Sequence, residues 1–323
     1  MPDTGRRVAV LGAGAWGTTV AAVLAQNADV GLWCRRPELA EEITLTRENS
    51  RYLPGVGLPP RIAANPDVEV VLAGASLVVL AVPLQQLRSR LTGWRPVVPG
   101  VPVVNLAKGV ETATGRFGTE VVQDVLPDAE VLALSGPNLA AEIARGQPAA
   151  TVVAGPDDHV AREVASAFAT AQFHAHAVTD VVGVDVAGAF KNVVALAVGM
   201  VEGAGLGANA RAAVLTLGLS EMAALGGRLG ARPGTFLGLA GAGDLVATST
   251  SRLSRNHRVG VALGEGLALA DAVGRAGGTA EGVATAPALL RRDPDLPFVR
   301  DVVAVLAGER SPVAAVSRLL SAT

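Results

Sequence analysis

Cysteine is nearly missing from this sequence. Cys34 stands alone, so no internal disulfide can form and no Cys-cluster zinc or iron–sulfur site can be assembled. That usage fits a reducing, intracellular setting. Aromatic residues are scarce at 3%, leaving the apolar mass to the smaller aliphatic side chains. Neither sign of charge is in excess: 27 basic against 29 acidic residues give a net charge of −2, which argues against a general nucleic-acid binder. An acidic third ligand is lacking near His174 and His176, so that pair predicts no metal site. What is abundant is glycine, 38 of 323 residues, within a chain that is 50% hydrophobic. Such a length accommodates two domains of about 150 residues each, with a sizeable core.

Two apolar stretches need sorting first. The one following Arg6 and Arg7 superficially resembles a secretory signal, but Gly12, Gly14 and Gly17 break it at tight spacing, which predicts a turn rather than a leader. The stretch 181–206 contains Asp185 and Lys191, and so reads as a buried helix rather than a membrane span. Apolar runs predict strands at 8–12, 29–34, 61–64, 76–82, 102–107, 131–135, 149–154 and 172–178, with helical patterns between most of them. Continuously apolar strands alternating with helices imply a parallel sheet covered on both faces. Beyond Thr179–Asp180 only helical patterns occur, at 180–203, 208–229, 256–264, 283–291, 297–307 and 312–321. The expected architecture is α/β: a Rossmann-type doubly wound parallel sheet over 1–179, followed by an all-α domain over 180–323.

Gly12, Gly14 and Gly17 form a G-x-G-x-x-G that follows a predicted strand, and Ala15 and Trp16 open the predicted helix after it. In that context the glycines permit a tight turn and close approach of a pyrophosphate to the helix N-terminus. The end of the second strand selects the cofactor. Where an NAD site usually carries Asp or Glu, this chain has Arg35 and Arg36, 18 and 19 residues after Gly17. Guanidinium groups bind a 2′-phosphate that a carboxylate would repel, so NADP(H) is favoured and NAD(H) is the alternative.

Lysine is the rarest cation here: of the 27 basic residues only Lys108 and Lys191 are lysines. Arginine stays protonated, whereas a buried lysine can release its proton near neutral pH, as a general acid/base must. Lys191 is flanked at helical spacing by Val184, Ala187, Gly188, Val194, Ala195 and Val198, which predicts desolvation. Lys108 ends a predicted strand, where open parallel sheets present their ligand crevice. Three further clusters stand out, each with a plain turn and cap as the alternative: Gly241 to Asp244 reads as a glycine loop ending in a carboxylate, and Ser254 to Arg258 and Ser135 to Asn138 as anion-holding segments.

Taken together, the runs GAGAWGT (12–18), NLAKGVE (105–111), SGPNLAAEIA (135–144), GAFKNVVALAVGM (188–200), GLGANARAAVLTLGLSEM (205–222), GAGDLVATST (241–250), SRNHRVG (254–260) and AEG (280–282) resemble the bacterial NAD(P)-dependent sn-glycerol-3-phosphate dehydrogenase family along the whole chain. The resemblance implies reversible reduction of dihydroxyacetone phosphate to sn-glycerol 3-phosphate, the backbone precursor of glycerophospholipids. It implies Lys191 as proton donor and acceptor, with Asp244 beside it in the catalytic pair. It implies substrate contacts at Lys108, Gly136, Asn138, Lys191, Asp244, Ser254, Arg255 and Asn256. Cofactor contacts are implied at Ala15, Trp16, Arg35, Arg36, Tyr52, Lys108, Ala140, Arg255, Thr279 and Glu281. A cytoplasmic enzyme with a small-molecule substrate follows, without nucleic acid or membrane insertion, and with a homodimer as the assembly to test. The chain departs from the family pattern at VPLQQLR (82–88), at Asn138 where Ser or Thr is usual, at Ala242 for Leu and at Ala107 for Ser or Thr. These changes bear on substrate preference more than on reaction class. The alternatives are a dehydrogenase of the same fold acting on another phosphorylated or carboxylated 2-hydroxy compound, and a non-catalytic NADP(H)-binding sensor.

Overall fold

Successive residues of a strand face opposite ways, and Val8, Ala9, Val10 and Leu11 of β1 (Arg7–Leu11) are all fully buried, so this strand needs cover on both sides. The computed structural model, which describes residues 6–321, supplies it. With β2 (Asp29–Trp33), β3 (Ile62–Asn65), β4 (Leu77–Leu80), β5 (Val103–Asn105), β6 (Val131–Ser135), β7 (Ala149–Ala154) and β8 (Phe173–Val178), β1 forms one sheet of order β3-β2-β1-β4-β5-β6-β7-β8. Val8 and Val10 pack under α1 (Ala15–Leu24), α2 (Pro37–Thr46) and, farther along the sheet, the region of α7 (Asp158–Phe168). Ala9 and Leu11 face α3 (Val68–Leu72), α4 (Leu84–Trp94) and α5 (Gly118–Val125). The short α6 (Ala140–Ala144) leans on α1, where Thr19 Oγ1 donates to Ala140 O at 3.2 Å.

The sheet is mostly, not wholly, parallel. β6 and β7 pair antiparallel, Ala133 opposite Ala154, and β7 and β8 then pair parallel. The chain between β6 and β7 spends its one short helix against α1 instead of laying it across a sheet face, so it returns at the end it left.

The remaining chain is helical: α8 (Val181–Gly203), α9 (Ala208–Arg228), α10 (Pro233–Leu237), α11 (Asp244–Thr250), α12 (Arg255–Gly264), α13 (Leu269–Arg275), α14 (Glu281–Arg292), α15 (Pro297–Leu306) and α16 (Pro312–Ser321). α8 is long and apolar enough to span a membrane, yet Gly183 through Val201 are buried without a break. It meets α12 backbone to backbone. A Cβ on Gly199 would lie 2.2 Å from His257 O, and one on Gly260 2.1 Å from Leu196 O. The chain divides into two units, the first running to Ala107 and resuming over Gly118–Val181, the second made of Lys108–Phe117 and the segment from Val182 onward. Lys108–Phe117 thus groups with the helices although it lies within 1–179. Its Val110 and Phe117 form an antiparallel bridge and are buried in the helical core.

Candidate functional site

In the sheet unit, the β1–α1 turn is built for close approach. Gly12 has φ +131°, and a Cβ there would lie 2.5 Å from Ala81 O, so no other residue fits. At the helix start the situation reverses. Above Gly14, the N-cap of α1, a Cβ would meet nothing within 4 Å, and no side chain caps the free N–H groups. Trp16 Nε1 nearby is buried without a hydrogen-bond partner. Open space, uncapped donors and an orphaned indole N–H fit a bound pyrophosphate.

At the end of β2, Arg35 is exposed and Arg36 partly so, with the Arg36 guanidinium 5.7 Å from the centroid of the Tyr52 ring. The Tyr52 loop is pinned to the glycine turn by Asn49, fully buried, whose Nδ2 donates to Ala13 O at 3.0 Å and to Thr18 Oγ1 at 2.8 Å. Its Oδ1 accepts from the Tyr52 N–H at 3.2 Å. Arg35, Arg36 and Tyr52 therefore sit at one end of the sheet, tied to the turn that holds Gly12. Farther along the sheet, Asn138 Nδ2 donates to Thr151 Oγ1 at 3.1 Å while its Oδ1 is buried and unpartnered. Gly136 and Ala140 lie on the same β6–α6 connection.

The helical unit brings both lysines onto one carboxylate. Lys108 Nζ donates to Asp244 Oδ2 at 2.6 Å, and Lys191 Nζ donates to Asp244 Oδ1. Thr248 completes the arrangement, its hydroxyl accepting from Lys191 Nζ at 2.9 Å and donating to Asp244 Oδ1 at 3.0 Å. Asp244 is 1% exposed, Lys191 7%. Burial pushes the Lys191 ammonium down to about 8, with help from the charge of Lys108 and against the pull of Asp244. For Asp244, burial alone raises the carboxyl, but the two ammonium groups outweigh it and hold it below the ordinary carboxylate range.

Beside this trio, Asn192 follows Lys191 on α8 and accepts at its Oδ1 from Asn256 Nδ2 at 2.9 Å. Asn256 Oδ1 in turn accepts from the Gly282 N–H at 2.9 Å, which joins α12 to the start of α14 next to Glu281. The exposed Arg255 lays its guanidinium against Gly278, one residue before Thr279: a Cβ on Gly278 would be 3.2 Å from Nη1. Ser254 acts as N-cap of α12, accepting from the His257 N–H at 3.3 Å. The His257 ring is buried with Nε2 3.4 Å from Glu202, so it belongs to the α8–α12 packing rather than to the exposed cation at Arg255.

Asp244 also departs from expectation in its setting. Gly241 to Gly243 is a wide helical turn running straight into α11, not a loop, and that places Thr248 one turn beyond Asp244 on the same face. Thr248 and Asn192 are the site residues that sequence reasoning passed over.

Residues 7–161 match the sequence model described as NAD-dependent glycerol-3-phosphate dehydrogenase N-terminus, and residues 180–317 match that of the C-terminus. A glycerol-3-phosphate dehydrogenase [NAD(P)+] 2 of Sphingopyxis alaskensis is 45% identical over 94% of this chain and 93% of its own length. A glycerol-3-phosphate dehydrogenase [NAD(P)+] of Streptomyces griseus is also 45% identical, over 98% of this chain and 96% of its own. The solved glycerol-3-phosphate dehydrogenase of Coxiella burnetii superposes with a TM-score of 0.93 at 33% identity, covering 98% of this chain and 99% of that one.

Proposed function

This chain belongs to the NAD-dependent glycerol-3-phosphate dehydrogenase family, and from that premise we propose how its own residues carry out the reaction. The chain is an oxidoreductase, and its reaction is the reversible reduction of dihydroxyacetone phosphate to sn-glycerol 3-phosphate with NAD(P)H. The observation that carries the residue assignment is the buried Asp244 carboxylate shared by the buried Lys191 and the part-buried Lys108. The bound cofactor supplies a hydride to C2 of the substrate. Lys191, as an ammonium, gives its proton to the oxygen on C2 as negative charge develops there, and takes it back in the oxidative direction. Asp244 orients that ammonium and limits how far burial depresses it. Lys108 shares the carboxylate and places a second positive charge near the reacting oxygen. Arg255 and Asn256 hold the substrate phosphate, so that C2 stays in register for transfer. The Gly12 to Gly17 turn, with Ala15, Trp16 and Ala140 beside it, holds the dinucleotide pyrophosphate, while Arg35, Arg36 and Tyr52 receive the adenosine ribose. The setting is cytoplasmic, the product feeds glycerophospholipid synthesis, and the assembly to test is a homodimer.

Lys191 sets the sign of the pH dependence. Below about 8 it is an ammonium and can donate, so the rate of reduction falls as pH rises through that value. Oxidation of glycerol 3-phosphate needs the neutral amine, so its rate rises through the same range. The test follows NADPH absorbance with dihydroxyacetone phosphate, and NADPH formation with glycerol 3-phosphate, across pH. Opposed limbs with a shared midpoint are expected. Absence of substrate-dependent NADPH consumption overturns the reaction, and parallel or flat profiles overturn the role of Lys191.

NADP(H) preference rests on Arg35 and Arg36, which have no carboxylate within ion-pair distance among the described residues. Replacing both with alanine removes one or two charge-assisted hydrogen bonds, about 1.5–3 kcal/mol each. NADPH affinity is expected to fall by that amount, and NADH affinity to change little, in a fluorescence titration of the two cofactors. An equal loss for both would mean that the arginines support the loop or the adenine.

A further inference from the structure

The hairpin that carries Lys108 is fastened from behind by the last turn of α14. Arg292 Nη1 donates to Gly115 O at 2.7 Å, and its guanidinium lies 4.3 Å from the centroid of the Phe117 ring. Arg291 Nη2 donates to Thr112 O at 2.8 Å. Within the hairpin, the Glu111 N–H donates to Arg116 O and the Gly115 N–H to Glu111 O, so the tip is a closed turn. Phe117 bridges Val110, two residues from Lys108, and Lys108 reaches Asp244. An unbroken line of contacts therefore runs from Arg292 through Phe117, Val110 and Lys108 to the carboxylate shared with Lys191.

Arg292 is suited to this task by its chemistry. A planar guanidinium can lie over an aromatic face while one of its N–H groups donates in plane, and a lysine ammonium cannot do both at once. The half-buried Arg292 makes both contacts with the hairpin at once. We propose that Arg292 is a positioning residue for the reaction: by clamping Phe117 and Gly115 it fixes Lys108 against Asp244. It acts only through Lys108. The proposal rests on the reading of Lys191 and Asp244 given above.

If the clamp loosens, Lys108 shifts and Asp244 serves Lys191 alone. The groups facing the Lys191 ammonium are Asp244 and Thr248 from α11 and Lys108 from the hairpin, and only Lys108 opposes the proton by its charge. Its withdrawal makes Lys191 hold its proton more tightly. The experiment compares the full-length parent, Arg292→Met, Arg292→Lys, Arg291→Ala and Lys191→Arg, reading kcat, KM, Tm and the midpoint of the pH profile for glycerol 3-phosphate oxidation. Met keeps apolar cover on Phe117 without the bond to Gly115. Its kcat is expected to fall about 10- to 100-fold, the scale of a displacement of roughly 1 Å in a reacting site. Its pH midpoint should move above that of the parent. Arg292→Lys, which keeps the charge over the ring, should recover part of kcat and part of the midpoint, and Arg291→Ala, which frees only the Thr112 side of the hairpin, should lose less of both than Arg292→Met. A lowered Tm with kcat and midpoint unchanged in Arg292→Met overturns the proposal, as does full activity in both Arg292 variants. If Arg292→Met does not fold, an unshifted midpoint in Arg292→Lys overturns it equally. Turnover in Lys191→Arg strikes instead at the underlying assignment, so the two failures are told apart.

Discussion

Lys191→Arg is expected to fold, to bind NADPH like the parent, and to reduce dihydroxyacetone phosphate about 10²–10⁴-fold more slowly, the usual range for loss of one acid/base group. The charge is kept, so Asp244 still has its partner and the buried pair is not broken. What is lost is the capacity to give up a proton. The depression of Lys191 to about 8 reflects an amine whose two protonation states are both accessible near neutral pH. A guanidinium in the same burial stays protonated. Single-turnover kinetics with saturating NADPH separates this from a binding defect. A chemical step within a factor of a few of the parent would remove Lys191 from proton transfer.

Asp244→Asn should be severe in a different way. The carboxylate is 1% exposed and receives both lysines, so its loss leaves two ammonium groups close together without the charge they share. Breaking a buried pair by removing one partner costs about 3–5 kcal/mol. At this chain length that corresponds to a fall in Tm of about 4–7 °C. Part of the penalty is relieved when Lys191 releases its proton, so the pH midpoint of reduction should drop below the parental value of about 8. Reduction at neutral pH would then be slow but recover in more acid buffer, the opposite displacement to that expected for Arg292→Met. Calorimetry and the pH–rate profile together check it. A midpoint that stays in place would mean that Asp244 does not govern the charge on Lys191.

Much of this site was legible because lysine is so rare in the sequence. With two lysines among 27 basic residues, scarcity singled out Lys108 and Lys191 before any contact was known. The glycine spacing at 12, 14 and 17 was equally informative, since the Ala81 carbonyl leaves no room for a side chain at Gly12. Thr248 was missed because Gly241 and Gly243 suggested a loop. Glycines weaken helices on average, and here the tertiary setting overrides that preference, so the i, i+4 relation of Asp244 and Thr248 was hidden. The antiparallel β6–β7 pairing was hidden for another reason. A buried apolar strand has no feature that reports its direction, and only the fate of the connecting helix α6 decides it. The grouping of Lys108–Phe117 with the helices depends on two side chains, Val110 and Phe117, whose apolar character suits either core.

The backbone contact between α8 and α12 bears on how this enzyme could be redesigned. Asn192 and Asn256 meet because Gly199 and Gly260 let the two main chains touch, so their spacing is set by atoms that no substitution can trim. A library that varies α12 in search of a new substrate has no compensating change available along that seam, since even alanine would force the helices apart. Freedom lies on the outward flank, at Arg255 and Arg258, where side chains can be exchanged without moving the axis that carries them. Retargeting by small steps can therefore change which anion is gripped more readily than where the grip is held.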